Sequence, residues 1–167
     1  MFNFKTLLFF AVSAAACTPD FGILSRSKAF TITIEGKNVG YNTNTTATAG
    51  FAGAHIIAGN NVTWLAAGTG ATDDSNPFRL SVPGNETFAI TGNLQLQPRA
   101  NASAQQLFWI DCAGVCDVIT GNVSIAGTGC QITYLGQENT GLCLDIENSK
   151  GVLADCAEIG QATLLWA

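Results

Sequence analysis

The chain of 167 residues is 47% hydrophobic and only 11% charged, and twelve acidic against seven basic residues give a formal net charge of −5. Nucleic acids and anionic membranes are bound by clustered positive charge, so this balance argues against both as partners. The apolar content argues against a disordered chain. The length fits one folded domain with a core of its own.

Residues 1–16 have the pattern of a secretory signal peptide. Lys5 gives a positive start, residues 6–12 form the apolar run, and residues 13–16 are small. A membrane anchor is the alternative, but a spanning helix needs about 20 apolar residues and this run is shorter. We therefore expect cleavage near Ala16, a mature domain of residues 17–167, and a secreted, extracellular protein.

Short segments of alternating apolar and polar residues follow, which is the pattern of half-buried strands. The alternation is clearest at residues 30–34 and 78–82, and Leu94 and Leu96 alternate with three amide residues. Turn residues separate nearly every pair, and residues 102–107 could form one helical turn. The predicted strands, in chain order, are 30–34, 54–57, 62–66, 78–82, 87–91, 93–97, 107–111, 117–120, 122–126, 130–135, 142–146, 151–155 and 162–166. About twelve or thirteen short strands predict a single all-β barrel or sandwich.

The three tryptophans suggest an internal repeat. Trp64, Trp109 and Trp166 are 45 and 57 residues apart, and each follows a short apolar segment. This spacing suits three units of about four strands each. Because their neighbours are apolar, we expect the tryptophans in the core rather than at a binding site.

The cysteines indicate a disulfide framework. Six of them, an even set, follow the predicted signal, at Cys17, Cys112, Cys116, Cys130, Cys143 and Cys156. Six cysteines allow fifteen pairings, which the sequence leaves open. Cys143 with Cys156 is the preferred pair because these residues lie on adjacent predicted strands. A zinc site at Cys112 and Cys116 is the alternative, but with one distant histidine and a secreted context we expect no metal.

The chain also carries five Asn-x-Ser/Thr acceptors for N-linked glycans, at Asn44, Asn61, Asn85, Asn101 and Asn122. Attached glycans would supply solubility to a surface that has few charges.

The last third of the chain resembles one repeat of the ricin B-type β-trefoil lectins. Residues 141–146 match the Cys-Leu-Asp strand of that family, and residues 150–156 match its Val-x-Leu-x-x-Cys strand. Gln161 and Trp166 correspond to its closing Gln-x-Trp, although they are five positions apart rather than two. The resemblance is best over 141–156 and loose over 106–167. It implies a single disulfide-stabilised β-trefoil-like domain of about twelve strands in three lobes.

The resemblance also implies two ligand-binding residues, Asp145 at the position of the family's sugar-binding aspartate and Gln161 at that of its glutamine. The sequence departs from the family elsewhere. Gly151 replaces a valine, Ala157 and Glu158 stand where an asparagine is usual, and no aromatic residue lies between Cys143 and Cys156. In the family, such an aromatic residue is the platform on which the apolar face of the sugar stacks. Tyr41 and Tyr134 are candidates for this platform elsewhere in the chain.

No residue pattern indicates catalysis. His55 has no acid or nucleophile motif beside it, so we expect a structural role, no catalytic residues and no cofactor. Asp111, Asp117, Asp145 and Asp155 could supply a hydrolase pair, but no spacing selects two of them. We therefore predict a secreted ricin B lectin-like protein that binds carbohydrate and is not an enzyme. The alternative is a secreted interaction protein, such as a protease inhibitor or effector, that binds an extracellular protein through residues 42–50 and 71–77.

Overall fold

The computed structural model describes residues 16–21, 28–42, 52–68, 77–100, 103–136 and 141–167. The predicted signal segment, apart from Ala16, lies outside the described residues. So do Asn44, Asn101 and nearly all of the two loops that the alternative function would use.

The described residues fold as thirteen β-strands and one short 3₁₀ turn, which confirms the predicted all-β class. The strands are β1 (Phe30–Ile34), β2 (Lys37–Tyr41), β3 (Ile56–Ala58), β4 (Leu65–Gly68), β5 (Phe78–Val82), β6 (Asn85–Ile90), β7 (Leu96–Pro98), β8 (Phe108–Cys112), β9 (Cys116–Thr120), β10 (Val123–Tyr134), β11 (Leu142–Glu147), β12 (Lys150–Asp155) and β13 (Ala162–Trp166). The 3₁₀ turn covers Ala104–Gln106.

The strands form a closed barrel, consistent with a trefoil-like fold. The ring runs β11–β12–β3–β2–β1–β13–β10 and closes where β10 pairs with β11, at Thr133 opposite Cys143. The sheet continues beyond this ring from β10 through β8, β5 and β6 to β7, while β4 pairs with β5 and β9 with β10. All of these pairings are antiparallel.

Strand β10 organises the barrel because it has different neighbours along its length. Its first part pairs with β9 and β13, and its second part pairs with β8 and β11. The register against β13 shifts on both sides of Gly127, as at a β-bulge, and such shifts let a long strand bend from one part of a sheet into another.

The core follows the alternation that the sequence shows. In β1, Phe30, Ile32 and Ile34 are buried while the intervening threonines are half-buried. Trp64 is fully buried, and its indole N–H donates to the Val39 carbonyl oxygen at 3.0 Å. Trp166 is half-buried against this core.

The expected core position of Trp109 is wrong, because its side chain is 43% exposed. Its neighbours Phe108 and Ile110 in β8 are fully buried. Successive side chains of a strand point to opposite faces, so burial of these two residues directs Trp109 outward.

Three disulfides crosslink the fold: Cys17–Cys116, Cys112–Cys130 and Cys143–Cys156. The last confirms the pair preferred from the sequence. Cys112 and Cys116 each bond to a different cysteine, so neither keeps the free thiolate that the zinc alternative required. Three disulfides fit an oxidising compartment. In the part of the chain that the structure describes, no helix has the length and apolar character needed to cross a membrane.

Candidate carbohydrate-binding site

The outward face of β8 presents an aromatic ring and a carboxylate side by side. Trp109 and Asp111 are both exposed, and the alternation of the strand places them on the same face. Residues two apart on one strand are about 7 Å from each other, which is about the width of a pyranose ring and its hydroxyl groups.

A cleft begins at Asp111 and holds two glutamines. We call it the Asp111 cleft; its volume is about 220 Å³. Its polar side chains are Asp111, Gln131 and Gln161. Cys112, Ala113 and Gly129 form the rest of its wall, together with Ala16, the last residue of the predicted signal segment. The predicted ligand-binding residue Gln161 therefore lies beside Asp111 and Gln131, two residues that no sequence pattern indicated as ligand-binding.

The backbone fixes two of these polar groups. Gln131 on β10 is the direct cross-strand partner of Asp111 on β8, and the next pair in this register is the disulfide-linked Cys112 and Cys130. The Gln131 amide donates from Nε2 to the Cys156 carbonyl oxygen at 2.8 Å, which leaves its own carbonyl oxygen as an acceptor. Thr18 donates its hydroxyl to Asp111 Oδ1 at 3.4 Å.

Gly129 leaves room for the third polar group. It has a φ of +63°, and a Cβ atom at this position would lie 3.0 Å from Gln161 Oε1. Gln161 precedes β13 and is exposed. A side chain at position 129 would therefore press on the Gln161 amide.

The other predicted ligand residue, Asp145, lies elsewhere in the fold. It belongs to β11, opposite Val152 of β12, and it is half-buried. Its Oδ1 accepts the backbone N–H of Ile146 at 2.8 Å. Asp145 is not among the residues that line the Asp111 cleft.

The tyrosines considered as platforms are less open than Trp109. Tyr41 is buried and packs edge-on against Trp64, and burial raises its pKa. Tyr134 is half-buried against Phe108, and burial raises the pKa of its phenol as well. A Cβ atom at Gly92 would overlap the Tyr134 ring, so this backbone covers part of the ring.

Three of the four acids considered for a hydrolase pair have backbone partners. Asp117 accepts the N–H of Asp20, and Asp155 accepts the N–H of Ala157, both at 2.9 Å; Asp145 accepts that of Ile146, as described above. These contacts are typical of carboxylates that stabilise turns and loop ends. Asp111 is the one of the four whose carboxylate lines the cleft.

Three glycan acceptors lie in the described ranges. Asn61 is exposed and Asn122 is exposed in the turn between β9 and β10, while Asn85 is half-buried and accepts a hydrogen bond from the Thr87 hydroxyl at 2.8 Å. Occupancy of these acceptors stays a prediction. Within the same ranges, no three histidine, cysteine or acidic side chains are grouped as a metal site requires.

No protein-family model matches the chain, and searches of curated proteins and of solved structures give no match either.

Proposed function

We propose that this protein is a secreted, ricin B lectin-like carbohydrate-binding protein, and that the sugar binds at the Asp111 cleft with Trp109 as its platform. The observation that carries the proposal is the exposed Trp109 ring on the same strand face as the carboxylate that opens the cleft.

The chemistry of the site supports this ligand class. The apolar face of a pyranose ring packs well on an exposed indole, because an aromatic ring offers a large apolar surface with few side-chain torsions to immobilise. The equatorial hydroxyl groups need a few fixed polar partners. Asp111 supplies an acceptor, and the amides of Gln131 and Gln161 supply acceptors and donors.

The resemblance to ricin B-type lectins supports the same class of ligand with a different placement. It selects Asp145 and Gln161, but only Gln161 lies in the Asp111 cleft. We therefore assign the carboxylate that accepts from sugar hydroxyls to Asp111 rather than to Asp145, for the same class of ligand.

A glycan array followed by calorimetric titration of the best ligand tests the proposal. Trp109→Ala should weaken binding by a factor of about 30 or more, because central aromatic contacts are worth about 2 kcal/mol or more. Asp111→Asn should weaken it by about tenfold, since a charge-assisted hydrogen bond becomes a neutral one. Ile119→Ala is the matched control: this side chain is 76% exposed on β9 and is no part of the cleft, so binding should not change.

Asp145→Ala separates the two placements. Loss of binding in Asp145→Ala with normal binding in Trp109→Ala would move the site to the position that the family resemblance selects. Absence of binding to every sugar, with deglycosylated protein at high ligand density, would overturn the carbohydrate function and favour the interaction-protein alternative.

A further inference from the structure

A second cleft, distinct from the Asp111 cleft, lies where the turn before β7 meets β3 and the start of β12. Its volume is about 320 Å³, within the range of small-molecule sites. Buried Ile56 and Leu94 and half-buried Ile57 form its apolar wall. We call it the Lys150 cleft, after the only charged side chain among the described residues that line it.

A ladder of amide side chains beside this cleft fixes the hydrogen-bonding state of His55. Gln95 Oε1 accepts from Asn93 Nδ2 at 3.2 Å and from Gln97 Nε2 at 3.3 Å. The Gln95 amide nitrogen, which can only donate, lies 3.0 Å from His55 Nε2. His55 Nε2 therefore accepts, and neutral His55 carries its proton on Nδ1.

Asn93 also lines the cleft, but both ends of its amide already have partners, Thr91 and Gln95. The other polar side chains of the lining, Asn42, His55 and Lys150, offer hydrogen-bond donors. His55 has its Nδ1–H. Asn42 uses its Oδ1 to accept the backbone N–H of His55 at 3.2 Å, so its amide N–H groups remain. Lys150 adds an ammonium group. Glu147 is its cross-strand neighbour, yet among the described residues no carboxylate lies within 4.0 Å of Lys150, and no acid lines the cleft.

The backbone at the cleft is strained. Leu94 has a φ of +54° although its side chain is 95% buried, and the left-handed conformation costs about 1–2 kcal/mol for such a residue. Hydrogen bonds hold it there: its N–H donates to Thr91 at 2.8 Å and its carbonyl accepts from Ile56 at 2.9 Å. Backbone strain of this kind concentrates at functional sites.

We infer that the Lys150 cleft binds a small organic carboxylate with a compact apolar body. The carboxylate is a pure acceptor and matches a set of donors that includes a cation with no ion-pair partner among the described residues. The apolar body contacts Ile56 and Leu94. A neutral sugar would leave the three donors without a charged acceptor, so this ligand class differs from that of the Asp111 cleft.

Titration with benzoate, with benzamide and with sodium sulfate, followed by saturation-transfer NMR and calorimetry, tests this inference. Benzamide has the same shape without the charge, and sulfate has the charge without the apolar body. We expect saturable binding of benzoate, with benzamide and sulfate each weaker by about tenfold or more. Lys150→Gln should weaken benzoate binding by a similar factor.

The matched control is Lys37→Gln, because Lys37 is also exposed on a strand but does not line the cleft. This variant and Trp109→Ala should bind benzoate like the original chain, which separates the outcome from that of the sugar site. The inference would be overturned if benzoate showed no saturable binding, or if benzamide bound as tightly as benzoate. It would also be overturned if Lys150→Gln bound benzoate as tightly as the original chain. Sulfate binding as tight as benzoate binding would overturn it as well.

Discussion

Removal of the Cys17–Cys116 disulfide tests how strongly the barrel depends on its amino-terminal crosslink. This bond joins residues 99 positions apart, and closing a loop of about 100 residues contributes about 4.7 kcal/mol in the chain-entropy relation. Cys143–Cys156 spans only 13 positions, for which the same relation gives about 3 kcal/mol. Cys17 and Cys116 are half-buried, so alanine at both positions removes little core packing.

We therefore expect the double variant Cys17→Ala, Cys116→Ala to lose about 4–5 kcal/mol of unfolding free energy. For a domain of this size the melting temperature should fall by roughly 10–20 °C. The double variant avoids an unpaired thiol. Urea unfolding followed by tryptophan fluorescence and far-UV circular dichroism measures the loss, and the slope m should rise because the unfolded chain becomes more open. A loss below about 2 kcal/mol with an unchanged slope would refute the loop-closure reasoning.

Three further predictions concern packing, titration and a turn. Gly127→Ala should lower the unfolding free energy by about 1–3 kcal/mol, because the new Cβ atom would lie 2.6 and 2.7 Å from the sulfur atoms of the Cys112–Cys130 disulfide. Urea unfolding measures this loss, and an unchanged midpoint concentration of urea would contradict the packing. Burial raises the pKa of Tyr41 and of Tyr134, the only tyrosines in the sequence, so the folded state favours the neutral phenols. The free energy of unfolding should therefore be unaffected by these phenols below about pH 10 and should fall above it. Phenolate absorbance should show both tyrosines ionising above about pH 10. Ionisation of either tyrosine at the ordinary pKa of about 10 would refute this reasoning. Ser149→Gly should raise the unfolding free energy by a few tenths to about 1 kcal/mol, because Ser149 is exposed with a φ of +64° in the β11–β12 turn. A lower unfolding free energy in this variant would show that the serine side chain stabilises the turn.

Much of the fold could be predicted because hydrophobic alternation determines which side of a strand is buried. β1, β5, β8, β11, β12 and β13 lie close to their predicted bounds. In β1 and β8 the burial follows the alternation, whereas all of β5 is buried and β12 has no fully buried residue. β2 was missed because Lys37–Tyr41 does not alternate. Val39, Gly40 and Tyr41 are all buried, and a Cβ atom at Gly40 would lie 2.7 Å from the Asn60 carbonyl oxygen. Such close approach between β2 and the segment that follows β3 depends on tertiary neighbours that no local pattern contains.

The site was less predictable because its parts come from distant segments of the chain. The amide alternation at residues 93–97 is visible in the sequence, but no local pattern places His55 beside Gln95. The apolar neighbours of Trp109 also predicted a core position for it. The apolar neighbours are the reason for its exposure, since Phe108 and Ile110 occupy the inner face of β8 and leave only the outer face for the residue between them.

The same strand pairing explains why Asp111 is a better candidate for the sugar-binding carboxylate than Asp145. Each of the two carboxylates has one oxygen that already accepts a hydrogen bond, from the Ile146 N–H in Asp145 and from the Thr18 hydroxyl in Asp111. Asp111 differs because it faces Gln131 across β8 and β10, and the adjacent pair in the register, Cys112 with Cys130, is linked by a disulfide. A crosslink one residue away restricts how far the carboxylate and the amide can separate. Their spacing is thus largely set before a ligand arrives, and binding at a site ordered in advance loses less conformational entropy than binding at a mobile one.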